Sequence, residues 1–157
     1  MPVEKSAGAV VFHRSREGKI EYLLLQHNKT YWNFPKGRID KNETEKFAAR
    51  REISEETGIK KFRFVPGFKI YDKYFYRVPK DSRRIELRGR TLFKIVAFFL
   101  AQAQNKKVKI SWEHLGYEWS PYKVAVKKLK KYRGSQKILK KANAFLNKIS
   151  KKSISSS

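Results

Sequence analysis

The chain contains no cysteine. That absence excludes disulfides and thiolate zinc sites and makes the cytoplasm the expected location. Long apolar runs are also missing. The longest, Ile95 to Ala101, is far too short to span a bilayer. The opening residues MPVEKSAG show no basic region followed by an apolar core, so neither a secretory signal nor a membrane partner is expected. Acidic residues are scarce: 14 Asp and Glu stand against 38 Lys and Arg, for a formal net charge of +24. An excess of that size attracts polyanions through a long-range field. Beyond Glu118 there are twelve basic residues and no acid at all. A small anionic ligand would account for a local basic pocket. The remaining charge calls for nucleic acid, or for a very saline or lysine-biased proteome.

What is present describes a folded chain. At 157 residues, with 40% apolar and 14% aromatic content, the sequence supports one domain with a proper core over residues 1–150 and a flexible tail over 151–157. A monomer is expected.

Although acids are few, several crowd one stretch, Gly37 to Ile59, which reads GRIDKNETEKFAARREISEETGI. Asn42 is a good N-cap, Glu45 can complete a capping box, and Gly58 supplies a left-handed stop, so a helix is expected from about Glu43 to Thr57. Residues three and four apart share a helix face, which brings Glu52, Glu55 and Glu56 within one turn. Like charges that close repel unless a cation sits among them. Hard oxygen ligands without His or Cys suit Mg²⁺, or Mn²⁺, bridging to substrate phosphates. A solvated acidic face is the plain alternative. Arg51 can reach Glu55 at i+4, the glycines permit tight turns, and Phe47, Ala49 and Ile53 offer an apolar side for packing.

The frame is Gly37, five residues, Glu43, seven residues, then Arg51-Glu52-Ile53-Ser54-Glu55-Glu56-Thr57-Gly58-Ile59. It resembles the Nudix box at every fixed position. The resemblance implies a Nudix hydrolase, in which a loop-helix-loop holds divalent metal and cleaves a nucleoside diphosphate linked to another group.

Taken in order, Val3–His13 reads as a first strand and Glu21–Gln26 as a short buried one. Strand, hairpin, strand and acidic helix suit an α/β/α sandwich around a mixed sheet. Lys36, just before the box, can bind phosphate as a point charge or be an ordinary exposed lysine. Trp32 can stack on a base, although a Trp between strands is more often core. A strand over Lys61–Val65 closes at Pro66-Gly67, and a second over Lys69–Val78 places Tyr74 and Tyr76 on one face. Residues Pro79–Arg90 form an arginine-rich tip. Thr91–Ala101 is the strongest strand, and Lys94 within it needs a partner or a ligand. Glu113 is an isolated acid, either a further metal ligand or a loop charge. A helix starts near Pro121, Arg133-Gly134 breaks it, and a second follows with Ile138, Leu139, Ala142, Phe145, Leu146 and Ile149 on its apolar side. The basic helices of residues 121–149 thus present a lysine face outward.

The segments YWNFPKG, YFYR, TLFKIVAFFLAQ and EHLGYEW, with the terminal helices, resemble the diadenosine tetraphosphate hydrolase branch. The resemblance implies Glu52, Glu55, Glu56 and Glu113, with Gly37, as the metal site. It implies Lys36 and Lys94 on the phosphate chain and Tyr76 on a base. Three readings follow: a dinucleoside polyphosphate hydrolase giving ATP and AMP, a Nudix hydrolase of other nucleotides or 5′-phosphorylated RNA ends, and a non-enzymatic RNA- or ribosome-associated protein. The arginine-rich tip and the charge excess depart from the branch pattern.

Overall fold

The computed structural model describes the backbone of residues 1–155 and the side chains of residues 1–152. Its centre is two long strands, β1 (Val3–Arg14) and β6 (Thr91–Ala103), paired in parallel from Val3–Phe93 to Phe12–Gln102. The other pairings are antiparallel. β2 (Ile20–Gln26) joins β1, and β3 (Trp32–Asn33) and β7 (Gly116–Ser120) join β2. β4 (Lys36–Arg38) joins the first half of β1. β5 (Phe62–Arg77) forms the far edge beyond β6. The expected α/β sandwich with a mixed sheet is what the chain builds.

The two-residue alternation of a strand sorts the core into two layers. Val10, Phe12, Tyr22, Leu24, Val96, Phe98 and Leu100 face α2 (Tyr122–Lys128) and α3 (Arg133–Ser155). Ala7, Ala9, Val11, Leu23, Leu25, Ala97 and Ala101 face α1 (Glu45–Thr57). The alanines on the second face let α1 lie close to the sheet through Ala48, Ala49 and Ile53. On the first face, the buried Tyr22 hydroxyl donates to Asn143 Oδ1 at 2.6 Å, tying α3 to β2.

Several local expectations are corrected. The N-cap of α1 is Thr44, whose hydroxyl accepts from the Phe47 N–H at 3.1 Å. Asn42 instead takes a left-handed turn at φ 70°, a conformation its short polar side chain tolerates. Glu45 makes no capping box; it accepts from Lys69 Nζ and the Tyr71 hydroxyl, each at 3.0 Å. Phe47 lies on the solvent side at 58% exposure, whereas Ala49 and Ile53 are buried as expected. The two strands expected between residues 61 and 78 are one. Pro66-Gly67 falls within a bulge between Phe64 and Lys69 rather than closing a strand. Arg133-Gly134 begins α3 instead of breaking a helix, so the interruption is Leu129–Tyr132. Ile149 is exposed. Of the expected tail, residues 151–155 continue α3, and 156–157 lie outside the described residues. No helix among the described residues is long and apolar enough to cross a membrane.

Candidate active site

Arg51 organises the acidic end of the site. Its guanidinium donates to both Glu43 carboxylate oxygens at 2.7 and 2.9 Å, to Glu52 Oε1 at 2.9 Å, to Glu55 Oε2 at 3.1 Å and to the Arg38 carbonyl at 2.9 Å. A planar donor fork serves several acceptors at once, which a lysine would not. Glu43 in turn accepts from the Asp40 N–H at 2.7 Å, so one arginine holds the loop before α1 and the helix carboxylates together. The hydrogen bond from Arg51 keeps the Glu43 carboxyl below the usual range. The expected i+4 reach from Arg51 to Glu55 is present, but it is one contact of several.

Glu52 and Glu56 are buried, and Glu55 is exposed. Burial raises the Glu56 carboxyl well above its ordinary value, and the charge of Glu52 adds to the rise. Burial also raises Glu52, against the pull of Arg51. Glu56 Oε2 is buried without a hydrogen-bond partner; the nearest imidazole nitrogen is His114 Nε2 at 3.5 Å. Burial lowers the His114 pKa, and a neutral ring offers little compensation. Gly37 lies directly against Glu52, and a methyl group there would occupy the space of the Glu52 carboxylate. Its φ is not in the left-handed region. What Gly37 supplies is room, not the tight turn expected of it.

Lys36, Gly37, Arg38, Glu52, Glu55, Glu56 and Glu113 line one cleft of about 460 Å³, with Ser111 and Trp112 at its rim. Thus the metal-site residues expected from sequence converge on one cleft, Glu113 included. Among the described residues no three carboxylate or imidazole side chains are already drawn into a closed cage; Glu52 and Glu55 are instead held on one guanidinium nitrogen, Arg51 Nη1. The all-carboxylate donor set and the orphaned Glu56 Oε2 nevertheless fit a hard divalent cation.

A second cavity, about 700 Å³, adjoins this cleft through Lys36, which lines both. Its walls carry His27, Tyr31, Tyr74, Tyr76 and Tyr132, with Lys94, Asp72 and the start of α3. Lys94 Nζ lies 4.8 Å from the Tyr76 ring centre and 3.6 Å from Glu4 Oε2, so the strand lysine has the partners its burial demands. Burial, with the charge of Lys94, pushes the Lys36 pKa down to about 8. Burial, with His114 and Lys36 nearby, pushes His27 down to about 4. His27 is stacked on Tyr31 with centroids 4.7 Å apart and meets His114 edge-on at 4.6 Å. Asn33 ties the base of this cavity. Its Oδ1 accepts from Ser135 Oγ at 2.9 Å, and its Nδ2 donates to the Tyr31 hydroxyl at 2.7 Å.

Lys36, Lys94 and Tyr76 therefore meet in one cavity. Trp32 does not line it. Trp32 packs on the α2–α3 core layer, with Lys128 Nζ 4.2 Å from its ring centre. Sequence reasoning passed over His27, Tyr31, Asp72, His114 and Tyr132. His114 had a signal in the Glu113–His114 pair. Tyr132 had none, because only the packing of α3 brings it opposite Tyr31, with centroids 4.3 Å apart.

With this geometry in place, comparison with known proteins identifies the class: the NUDIX domain family model matches residues 4–142, and the chain belongs to that family of hydrolases. Within it, the chain is 35% identical to the asymmetrical bis(5′-nucleosyl)-tetraphosphatase of Caenorhabditis elegans, over 92% of this chain and 97% of that protein. It is 30% identical to the enzyme of the same description from Mus musculus, over 73% and 77% of the two chains. The solved binary complex of the C. elegans Ap4A hydrolase superposes with a TM-score of 0.75 at 31% identity, covering 92% and 98% of the chains. An RNA pyrophosphohydrolase of Bartonella bacilliformis is 34% identical over 52% of this chain and 50% of that protein.

Proposed function

We propose that this protein hydrolyses dinucleoside polyphosphates, cleaving diadenosine tetraphosphate asymmetrically to ATP and AMP in a divalent-metal-dependent reaction. The observation that carries the reading is the junction at Lys36, where an aromatic, lysine-bearing cavity meets a cleft lined by Glu52, Glu55, Glu56 and Glu113. One nucleoside fits among Tyr31, Tyr74, Tyr76 and Tyr132. Lys36 and Lys94 draw the first phosphates toward the carboxylates as point charges. Glu52, Glu55, Glu56 and Glu113, with the Gly37 carbonyl, would hold Mg²⁺, or Mn²⁺. Bound there, such ions neutralise phosphate oxygens and lower the pKa of water. A glutamate of the α1 set accepts the proton of the attacking water as its oxygen bonds to one phosphorus. The bond from that phosphorus to its bridging oxygen breaks, and the leaving nucleotide departs with that oxygen. Arg51 keeps Glu52 and Glu55 aligned throughout.

The strongest support in known proteins is the near full-length likeness to tetraphosphatases. A panel of dinucleoside polyphosphates, nucleoside triphosphates, diphosphate sugars and 5′-triphosphorylated RNA, assayed with Mg²⁺ and resolved by chromatography, tests the reading. A clear preference for any other member of the panel overturns it.

A second reading, action on RNA ends, draws on the outer face of α2 and α3. There Lys127 on α2, Lys130 in the connection and Lys137 and Lys141 on α3 are all exposed, in a stretch without an acid. Nonspecific RNA affinity on this face would show a log–log salt slope of about 0.7 to 0.9 per phosphate contacted. Reversing these four lysines to Glu should abolish RNA retention and leave dinucleotide hydrolysis nearly intact. Joint loss of both would favour RNA as the substrate.

A further inference from the structure

The arginine-rich tip, residues Pro79–Arg90, has no part in the chemistry above, yet it is well held. Arg84 donates to Glu4 Oε1 at 2.7 Å, Arg88 Nε donates to the Ser82 carbonyl at 2.7 Å, and the Ser82 hydroxyl accepts from the Arg84 N–H at 3.1 Å. Glu4 also faces Lys94 of the cavity and Arg38 of the cleft, each at 3.6 Å, so the tip is tied through Glu4 to a residue of each. This anchoring brings Arg83 over the ring of Trp112, with the guanidinium carbon 5.7 Å from the ring centre.

Trp112 is the most exposed large apolar side chain among the described residues, at 79%. It stands at the rim of the carboxylate cleft and does not line the aromatic cavity. An indole left this open buries little apolar area, so core packing does not explain it. With Arg83 over one face, the exposure leaves the opposite face open to solvent. A guanidinium–indole pair beside a phosphate-binding cleft suits a planar aromatic ring carried on a polyanion.

We infer that Trp112, backed by Arg83, is the platform for the second base of the substrate, on the far side of the cleft from the cavity that takes the first. The inference rests on the dinucleotide reading of the site and extends it. The phosphate chain runs from the tyrosine cavity past Lys36 and across the carboxylates, and the departing nucleoside stacks on the indole. Arg83 offsets charge on the last phosphates and steadies the ring. Trp112 and Arg83 act on recognition of the far nucleoside and touch no reacting atom.

The test compares two substrates with the same phosphate chain, one with two bases and one with a single base: diadenosine tetraphosphate and adenosine 5′-tetraphosphate. Stacking of a base on an aromatic plane changes affinity by roughly 5- to 150-fold. Trp112→Ala should therefore raise the KM for the dinucleotide about tenfold relative to the KM for the mononucleotide. Trp112→Phe should recover part of that ratio, and Arg83→Ala should produce a smaller shift in the same direction. A thermal melt close to that of wild type shows that the exposed substitution leaves the fold intact. In the slow Glu56→Gln protein, diadenosine tetraphosphate should quench indole emission more than adenosine tetraphosphate does, and Trp112→Phe should remove the difference. An unchanged KM ratio in Trp112→Ala overturns the platform while leaving the reaction standing. A wild type inert toward both substrates overturns the reaction and the platform together. A Trp112→Ala defect seen only with 5′-triphosphorylated RNA overturns the assignment of the base to a dinucleotide.

Discussion

Replacing Gly37 with Ala probes the acidic site through a single methyl group. Gly37 has no left-handed backbone to defend, so alanine strains nothing there by φ alone. Its Cβ would coincide with the Glu52 carboxylate, which is the end of a flexible side chain and can swing away. The swing breaks the 2.9 Å link from Arg51 to Glu52. A hydrogen bond to a charged group contributes about 1.5–3 kcal/mol. Because the displaced carboxylate regains water, the net destabilisation should fall to about 1 kcal/mol, or about 2–4 °C in Tm for a domain of this size. Activity should suffer far more, roughly 100-fold in kcat, since a ligand or base displaced by about 1 Å costs on that order. Thermal melts and initial rates in saturating Mg²⁺ measure both. A double-mutant cycle sharpens the test: in a Glu52→Ala background, Gly37→Ala should cost almost nothing more. Wild-type turnover in Gly37→Ala, or full additivity in the cycle, would refute the reasoning. Gly8 offers a contrast, because a methyl there meets the Pro35 carbonyl and the Lys36 backbone, which cannot swing aside. Its alanine variant should lose stability rather than turnover alone.

Other outcomes follow from the same geometry. Glu55→Gln or Glu56→Gln, which keep shape and remove an anionic ligand, should each slow turnover by roughly 100-fold or more; unchanged rates at saturating Mg²⁺ would remove the metal assignment. Glu113→Gln should be milder and show itself as an altered Mg²⁺ dependence, and a wild-type dependence would leave Glu113 a loop charge. Lys36→Met and Lys94→Met should impair tetraphosphate hydrolysis more than that of a diphosphate sugar, and equal losses would mark both lysines as structural. His27, packed among Tyr31, His114 and Lys36, is held to about pKa 4 against an ordinary 6.5. Between those values the unfolded chain binds a proton that the folded chain refuses, so stability should fall as pH drops from 6.5 toward 4. Denaturant titrations at pH 7 and 5 should show a smaller loss for His27→Gln than for wild type; equal losses would exclude His27 as the source.

The acidic helix was legible because its information is local. Glu52, Glu55 and Glu56 converge by helical spacing alone, and Gly58 ends the helix with a left-handed cap at φ 69°. Its start was harder to read, because Asn42 and Thr44 are both competent caps. The choice falls to Thr44 once Arg51 has fastened Glu43 and the loop behind it. Strand identities in β1, β2 and β6 were plain from apolar runs. The bulge at Pro66-Gly67 was read as an end, since proline and glycine punctuate strands in either way. Lys94 declared itself as a charge in a buried strand. By contrast, the aromatic cavity is assembled from β3, β5 and the α2–α3 connection, and no local pattern relates Tyr31 to Tyr132. Trp32 and Trp112 show the same limit from the other side. Composition cannot tell a tryptophan under a lysine in the core layer from one standing open at a cleft.

The parallel pairing of β1 with β6 bears on how the molecule comes into being on the ribosome. The strand that begins at Val3 has its longest partner in one that begins at Thr91, and among the described residues the edge strand β5 pairs only with β6. A nascent chain therefore carries apolar β1 while its main partner is still unmade. The carboxylate cleft is next to gain its rim, when Ser111–Glu113 emerge. The aromatic cavity closes last, with Tyr132 and Ser135. Synthesis that stops before Tyr132 leaves the aromatic cavity without its α2–α3 wall, so a closed cavity reports that translation has run into α3.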